Sequence, residues 1–262
     1  MIAPRGYRPA WWRFALDLAR FVLATAVAPS ARRVWSWLSR EGPPSVLGAE
    51  NVPIREAYVL ALNHFSDGAS GAVVLAALDA VASVDPSAID RVLLVAGRRD
   101  RPIQSTFRRM VRQFGRHVAG WIRRRWREHL VVLSMEGSRA DLGALRAWRR
   151  LALERVSVVY PEGIARVSLG AMRPGVGQWL ASLGVKTVPC AVWFDDGRWN
   201  VRIGRPVAWT KNARARDAQL GLALAALLPE ALQGDWTEDL ERVARLRRAS
   251  AERVPSREPS TS

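Results

Sequence analysis

The sequence predicts an α/β protein, a sandwich of helices around a mixed sheet, built as one large domain with appendages. Three observations point there. From about residue 46, apolar runs of strand length alternate with longer stretches of helical period. The 262 residues are 49% hydrophobic, enough for a sizeable core and too apolar for a disordered chain. At 24% charged residues the chain is too polar for a polytopic membrane protein, and no charge-free apolar run reaches the ~18 residues of a spanning helix.

The first forty-five residues form a segment of their own. Residues 10–28 read as an amphipathic helix, with Arg13, Asp17 and Arg20 in one polar stripe and Phe14, Leu18, Phe21 and Val22 facing away. Pro29 ends it, and ARRVWSWLSR begins a second short basic-aromatic helix before Gly42-Pro43-Pro44. Trp11, Trp12, Trp35 and Trp37 fall here, a composition suited to a headgroup interface as well as to packing on the protein's own domain. Asp17 and Arg20 interrupt the apolar stretch, so a cleaved secretory signal is not expected.

The next segments alternate. Strands are expected at Tyr58–Leu62, Arg91–Ala96, Leu130–Ser134, Val156–Tyr160, Lys186–Phe194 and Trp199–Ile203. Helices are expected at Gly68–Val81, Pro102–Arg127, Ala140–Glu154 and Ala213–Leu228. The main domain is placed at 46–232, followed by a C-terminal helix and a disordered tail over 233–262.

Charge narrows the partners. Forty basic against 24 acidic residues give +16, and all but Lys186 and Lys211 of the basic residues are arginine. Guanidinium forks suit lipid head groups, nucleic acid or acidic substrates. The single cysteine, Cys190, excludes an intramolecular disulfide and is expected to be inert and buried, and no Cys/His cluster has zinc-ligand spacing, so no metal is expected.

Only His64, His117 and His129 can supply imidazole chemistry. His64 stands in Asn63-His64-Phe65-Ser66-Asp67, where a buried strand gives way to a helix, the edge at which ligands of open α/β sheets collect. A neutral imidazole there can take a proton from an alcohol, with Asp67 to fix its tautomer. The alternative is that Ser66 or Asp67 caps the helix and His64 is a satisfied loop residue. Further on, the strand VSVVY runs into Pro161-Glu162-Gly163-Ile164-Ala165-Arg166. A glycine after a strand lets amides approach an anion, and an adjacent arginine can grip a phosphate. Beyond come Arg173-Pro174-Gly175, then TVPCAVWF and IGRPV.

With these blocks in view, the chain resembles the glycerolipid acyltransferase family, the group that includes 1-acyl-glycerol-3-phosphate acyltransferase. The likeness is carried by the G-x-E-N-x-P lead-in at Gly48–Pro53, Asn63-His64, Tyr160-Pro161-Glu162-Gly163, Val188-Pro189 and the I-G-x-P block Ile203–Pro206, in that order. The resemblance implies a central mixed sheet wrapped by helices, with an N-terminal helical part on the membrane. It implies transfer of a fatty acyl group from a thioester, on coenzyme A or acyl carrier protein, to the hydroxyl of a lysophospholipid or related acceptor. His64 would be the general base, Asp67 its orienting carboxylate, and Glu162, Gly163, Arg166 and Arg173 the acceptor-binding residues. No bound cofactor is implied, and the expected location is peripheral, on the cytoplasmic face of the cell membrane. A non-catalytic lipid-binding relative would share these features.

Three departures from the family pattern stand out. The family places four residues between histidine and aspartate, whereas here Ala69 occupies that position and Asp67 lies three along. Ile164-Ala165 replace the usual Thr-Arg, so the arginine arrives one residue later as Arg166. The intervening block reads VVLSMEGSR, with its arginine, Arg139, several residues late. In addition, residues 98–127 carry eleven arginines against one acid, interleaved with Phe107, Phe114, Trp121 and Trp126, and read as an insertion. A solvated basic helix, a membrane arm, a polyanion-binding arm and a site for the phosphates of coenzyme A all fit this pattern. Nucleic acid also fits, but the second basic-aromatic segment at the N-terminus ranks an anionic membrane above it, so no nucleic acid partner is expected.

Overall fold

The computed structural model describes residues 43–65, 70–98, 129–134, 139–163 and 166–251. The two N-terminal helices, the arginine-rich stretch beyond Arg98, Asp67 and the C-terminal tail lie outside the described residues.

The fold is α/β, with a seven-stranded mixed sheet. Its strands are β1 (Ser45–Leu47), β2 (Tyr58–Leu62), β3 (Val92–Arg98), β4 (Leu130–Ser134), β5 (Val156–Val159), β6 (Lys186–Asp195) and β7 (Arg198–Ile203). Their spatial order is β1-β7-β6-β2-β5-β3-β4. β6, β2, β5, β3 and β4 pair in parallel, while β7 runs against β6 and carries β1 parallel to itself. Every residue of β2 and of β5 is buried, which is why both read as unbroken apolar runs rather than alternating ones. Tyr58, Leu60 and Leu62 of β2 and Leu93 of β3 are wholly enclosed and lead the core.

Helices cover the sheet: α1 (Ser70–Ala82) packs on β6 and β7, and α2 (Arg139–Ala152) on β4 and β3. α3 (Val176–Ser182) and α4 (Arg216–Ala225) pack together, with α4 also against β6 and α5 (Thr237–Ala251) against α4. The helix expected over Ala213–Leu228 is divided, with a 3-10 turn at Ala213–Ala215 before α4. Two elements escaped the sequence reading. β1 is only three residues long, and α3 takes its cap from far away: the Asp217 carboxylate accepts the amides of Gly175 at 2.7 Å and Gly177 at 2.6 Å. Nothing local in the sequence marks that start.

β6 is long enough to serve two partners. Its first half pairs with β2, up to Leu62 opposite Cys190, and its second half pairs with β7, from Cys190 opposite Ile203 to Asp195 opposite Arg198. Pro189 is tolerated inside a central strand because its amide-less nitrogen faces the β7 side before that ladder begins, where its carbonyl accepts the Gly204 amide at 2.8 Å. Asp196 and Gly197, both at positive φ, form the two-residue hairpin turn, and Phe194 meets Trp199 edge-on across the pair at 5.2 Å.

Candidate active site

β2 and β5 are neighbours and parallel, so their carboxyl ends release two loops side by side. One is Asn63-His64-Phe65 and the other Tyr160-Pro161-Glu162-Gly163, the two blocks that sequence had singled out at separate places. They are fastened together. The His64 amide donates to Glu162 Oε1 at 2.7 Å, and the Gly170 amide donates to Glu162 Oε2 at 2.8 Å. The Arg166 amide donates to the His64 carbonyl at 3.0 Å, and Phe65 and Arg166 form a one-residue parallel bridge. The His64 ring stacks on Tyr160, with centroids 4.2 Å apart and planes inclined by 24°.

Glu162 is therefore a buried acid whose two oxygens both serve main-chain amides. Burial pushes its carboxyl above the usual range, while the Gly170 and His64 amides and the nearby Arg166 guanidinium pull the other way. Gly163 completes the turn, its amide donating to the Tyr160 carbonyl at 3.1 Å.

Arg166 presents its side chain at the surface. Its stem lies against Gly170, where a Cβ would come within 3.0 Å of Arg166 Cδ, and Nη1 stands 3.6 Å from Asp235 Oδ2. Arg173 is exposed on the same loop, its amide donating to the Pro161 carbonyl at 2.9 Å. The structure thus brings His64, Glu162, Gly163, Arg166 and Arg173 to one edge of the sheet, while Asp67 lies outside the described residues. Among the described residues no group of three or more His, Cys, Asp or Glu is placed to hold a metal ion, and no helix is long and apolar enough to cross a membrane.

Sequence reasoning gave no role to four groups that shape this edge. Tyr160 is the stacking partner of His64. The loop after Arg166 is docked on the turn before α5, through Leu169 N–H to the Leu232 carbonyl at 2.9 Å and Trp236 Nε1–H to the Gly170 carbonyl at 2.9 Å. That turn also supplies Asp235, and no signal in the sequence marks the contact. The fourth is Asn63, whose sequence signal is a polar residue at the end of a fully apolar run.

The remaining blocks that carried the resemblance also meet in pairs, on the β6, β7 and β1 side of the sheet. The Asn51 side chain donates to the Ile203 carbonyl at 2.9 Å, and Gly48, at φ 78, lies so near that carbonyl that a Cβ would stand 2.0 Å from it. Gly204 sits against Pro189.

No protein-family model matches the chain, and no curated protein matches it by sequence. Among solved structures it is similar to the 1-acyl-sn-glycerophosphate (LPA) acyltransferase PlsC from Thermotoga maritima. The identity is 15% and the TM-score 0.46, over 86% of this chain and 98% of the other.

Proposed function

We propose that this protein is a membrane-peripheral acyltransferase that moves a fatty acyl group from a thioester to the hydroxyl of a lysophospholipid, with His64 as general base. The observation that carries the reading is the fastening of the His64 loop to the Glu162 loop at the carboxyl edge of the sheet. The same loops are joined by the main-chain hydrogen bond from Arg166, which bears a surface guanidinium, to the His64 carbonyl. A base for a hydroxyl and a cation for the phosphate of the same acceptor are the two groups this chemistry needs.

In this mechanism the acceptor's phosphate rests on Arg166 and Arg173, which directs its hydroxyl at His64. As the hydroxyl oxygen bonds the thioester carbonyl carbon, His64 takes the proton. When the carbon–sulfur bond breaks, the proton passes to the departing thiolate and the imidazole is neutral again. Glu162 holds the His64 backbone, Tyr160 supports the ring, and Asp67 orients the imidazole. The donor is an acyl thioester of coenzyme A or of acyl carrier protein, and the basic-aromatic N-terminal segment meets the anionic membrane surface.

A non-catalytic lipid-binding relative is the second reading, favoured by the three-residue spacing from His64 to Asp67. The assay that separates the two uses purified protein, an acyl thioester and a panel of lysolipids. Transfer to any of them supports the enzyme, whereas lysolipid binding without transfer supports the relative.

A further inference from the structure

We infer that Asn63 is a positioning residue for His64, its side-chain amide standing in for a strand that has already turned away. The inference rests on the reading of His64 as the base.

β2 ends its pairing at Leu62, opposite Cys190, but β6 runs on to Asp195. The main-chain groups of Val192 face the β2 side, as those of Cys190 do two residues earlier, and there the backbone of β2 has left the sheet to carry His64 into its loop. Asn63 fills the gap. Its Nδ2 donates to the Val192 carbonyl at 3.0 Å, and the Val192 amide donates to its Oδ1 at 2.7 Å. Asn63 is buried, only 4% exposed, so neither Val192 group has water as an alternative partner.

This solves a geometric conflict. Were β2 to continue, the residue after Asn63 would be held in the ladder, inside the sheet. Were it to stop without the amide, Val192 would leave a donor and an acceptor buried and unsatisfied. A primary amide is the side chain that offers a donor and an acceptor side by side at this length; Asp lacks the donor and Ala lacks both. His64 is consequently held from two directions. Asn63 ties the preceding residue to β6, and Glu162 takes the His64 amide from the β5 side. A reacting base displaced by about 1 Å can lose 10²-fold in rate, so the tie has a kinetic consequence.

The test is made on the full chain, comparing wild type, Asn63→Ala, His64→Ala and the double variant. Asn63→Ala is expected to speed Val192 amide exchange and shift the His64 imidazole resonances. It should lower kcat by about 10- to 100-fold while the acceptor KM stays within about twofold. In the His64→Ala background the same substitution should change the residual rate by less than about twofold, because Asn63 acts through His64. Multiplying rate losses in the double variant would overturn the inference, as would unchanged His64 resonances in Asn63→Ala. If Asn63→Ala does not fold, Asn63→Asp, which keeps the acceptor for the Val192 amide, carries the same measurements. If wild type transfers no acyl group, the imidazole resonances still decide: a shift retains Asn63 as the brace while the acyltransferase reading falls, and no shift removes the brace as well.

Discussion

The main-chain amide of Arg166 donates to the carbonyl of His64 at 3.0 Å, and Arg166 forms a one-residue parallel bridge with Phe65, the residue after His64. Any acceptor whose phosphate lies on the guanidinium is thereby referred to the same short piece of backbone as His64. The guanidinium has a resident neighbour in Asp235, at 3.6 Å, with both side chains more than half exposed.

Arg166→Ala is expected to raise the acceptor KM by about tenfold or more, the loss of one charge-assisted phosphate contact, with little change in the donor KM. Asp235→Asn should act in the opposite direction. An exposed ion pair is worth at most about 1 kcal/mol, so its removal lowers the acceptor KM by no more than roughly fivefold. Steady-state kinetics with acceptor and donor varied separately checks both. A KM effect seen with Arg173→Ala and not with Arg166→Ala would assign the phosphate to Arg173 instead.

Glu162→Gln should destabilise the fold by about 1–3 kcal/mol, because the amide nitrogen must face one of the two main-chain N–H groups that the carboxylate now satisfies. The effect has a pH signature. Burial holds the Glu162 carboxyl above its usual range in the folded state, so the native protein binds the proton more tightly than the unfolded chain. Glu162's contribution is then full below the unfolded value and is lost as pH rises through the folded one. The stability advantage of wild type over Glu162→Gln should shrink as pH rises above the ordinary carboxylate range, as read by urea unfolding of both proteins. An advantage that grows with pH would contradict this assignment of the shift.

Gly48→Ala should cost about 3 kcal/mol. The added Cβ meets the Ile203 carbonyl at 2.0 Å, and the residue holds φ 78, so neither space nor backbone accommodates it. A loss below about 1 kcal/mol in denaturant unfolding would mean that the lead-in loop relaxes away from β7 freely.

Removal of residues 1–45 should weaken binding to anionic vesicles, with added salt weakening the electrostatic share more than the tryptophan share. Equal sedimentation of full-length and shortened protein would move the membrane contact elsewhere in the chain.

The sheet was legible where apolar runs are bounded by polar breakers. Tyr58–Leu62 and Leu130–Ser134 form over the residues expected, since Asn63 ends the first run and His129 precedes the second. β1 was not legible, because three residues carry too little periodicity and its partner β7 lies some 150 positions on, Ser45 opposite Asn200. Nor was α3, whose cap is supplied by Asp217. At the site, His64 and the Glu162 block were each visible as polar residues following a buried strand. Their contact was not, because it follows from the pairing of β2 with β5 across 98 residues. The same holds for Asn63, whose role depends on how far β6 outruns β2, and for Asp235, which arrives from the turn before α5.

The proposed role of His64 as general base is put to the test by acyl transfer from a thioester donor to the best lysolipid acceptor, measured for wild type and His64→Ala side by side. A loss of about 10²-fold or more is expected, with the thermal unfolding transition and vesicle binding unchanged. Transfer that proceeds at the wild-type rate in His64→Ala would contradict it.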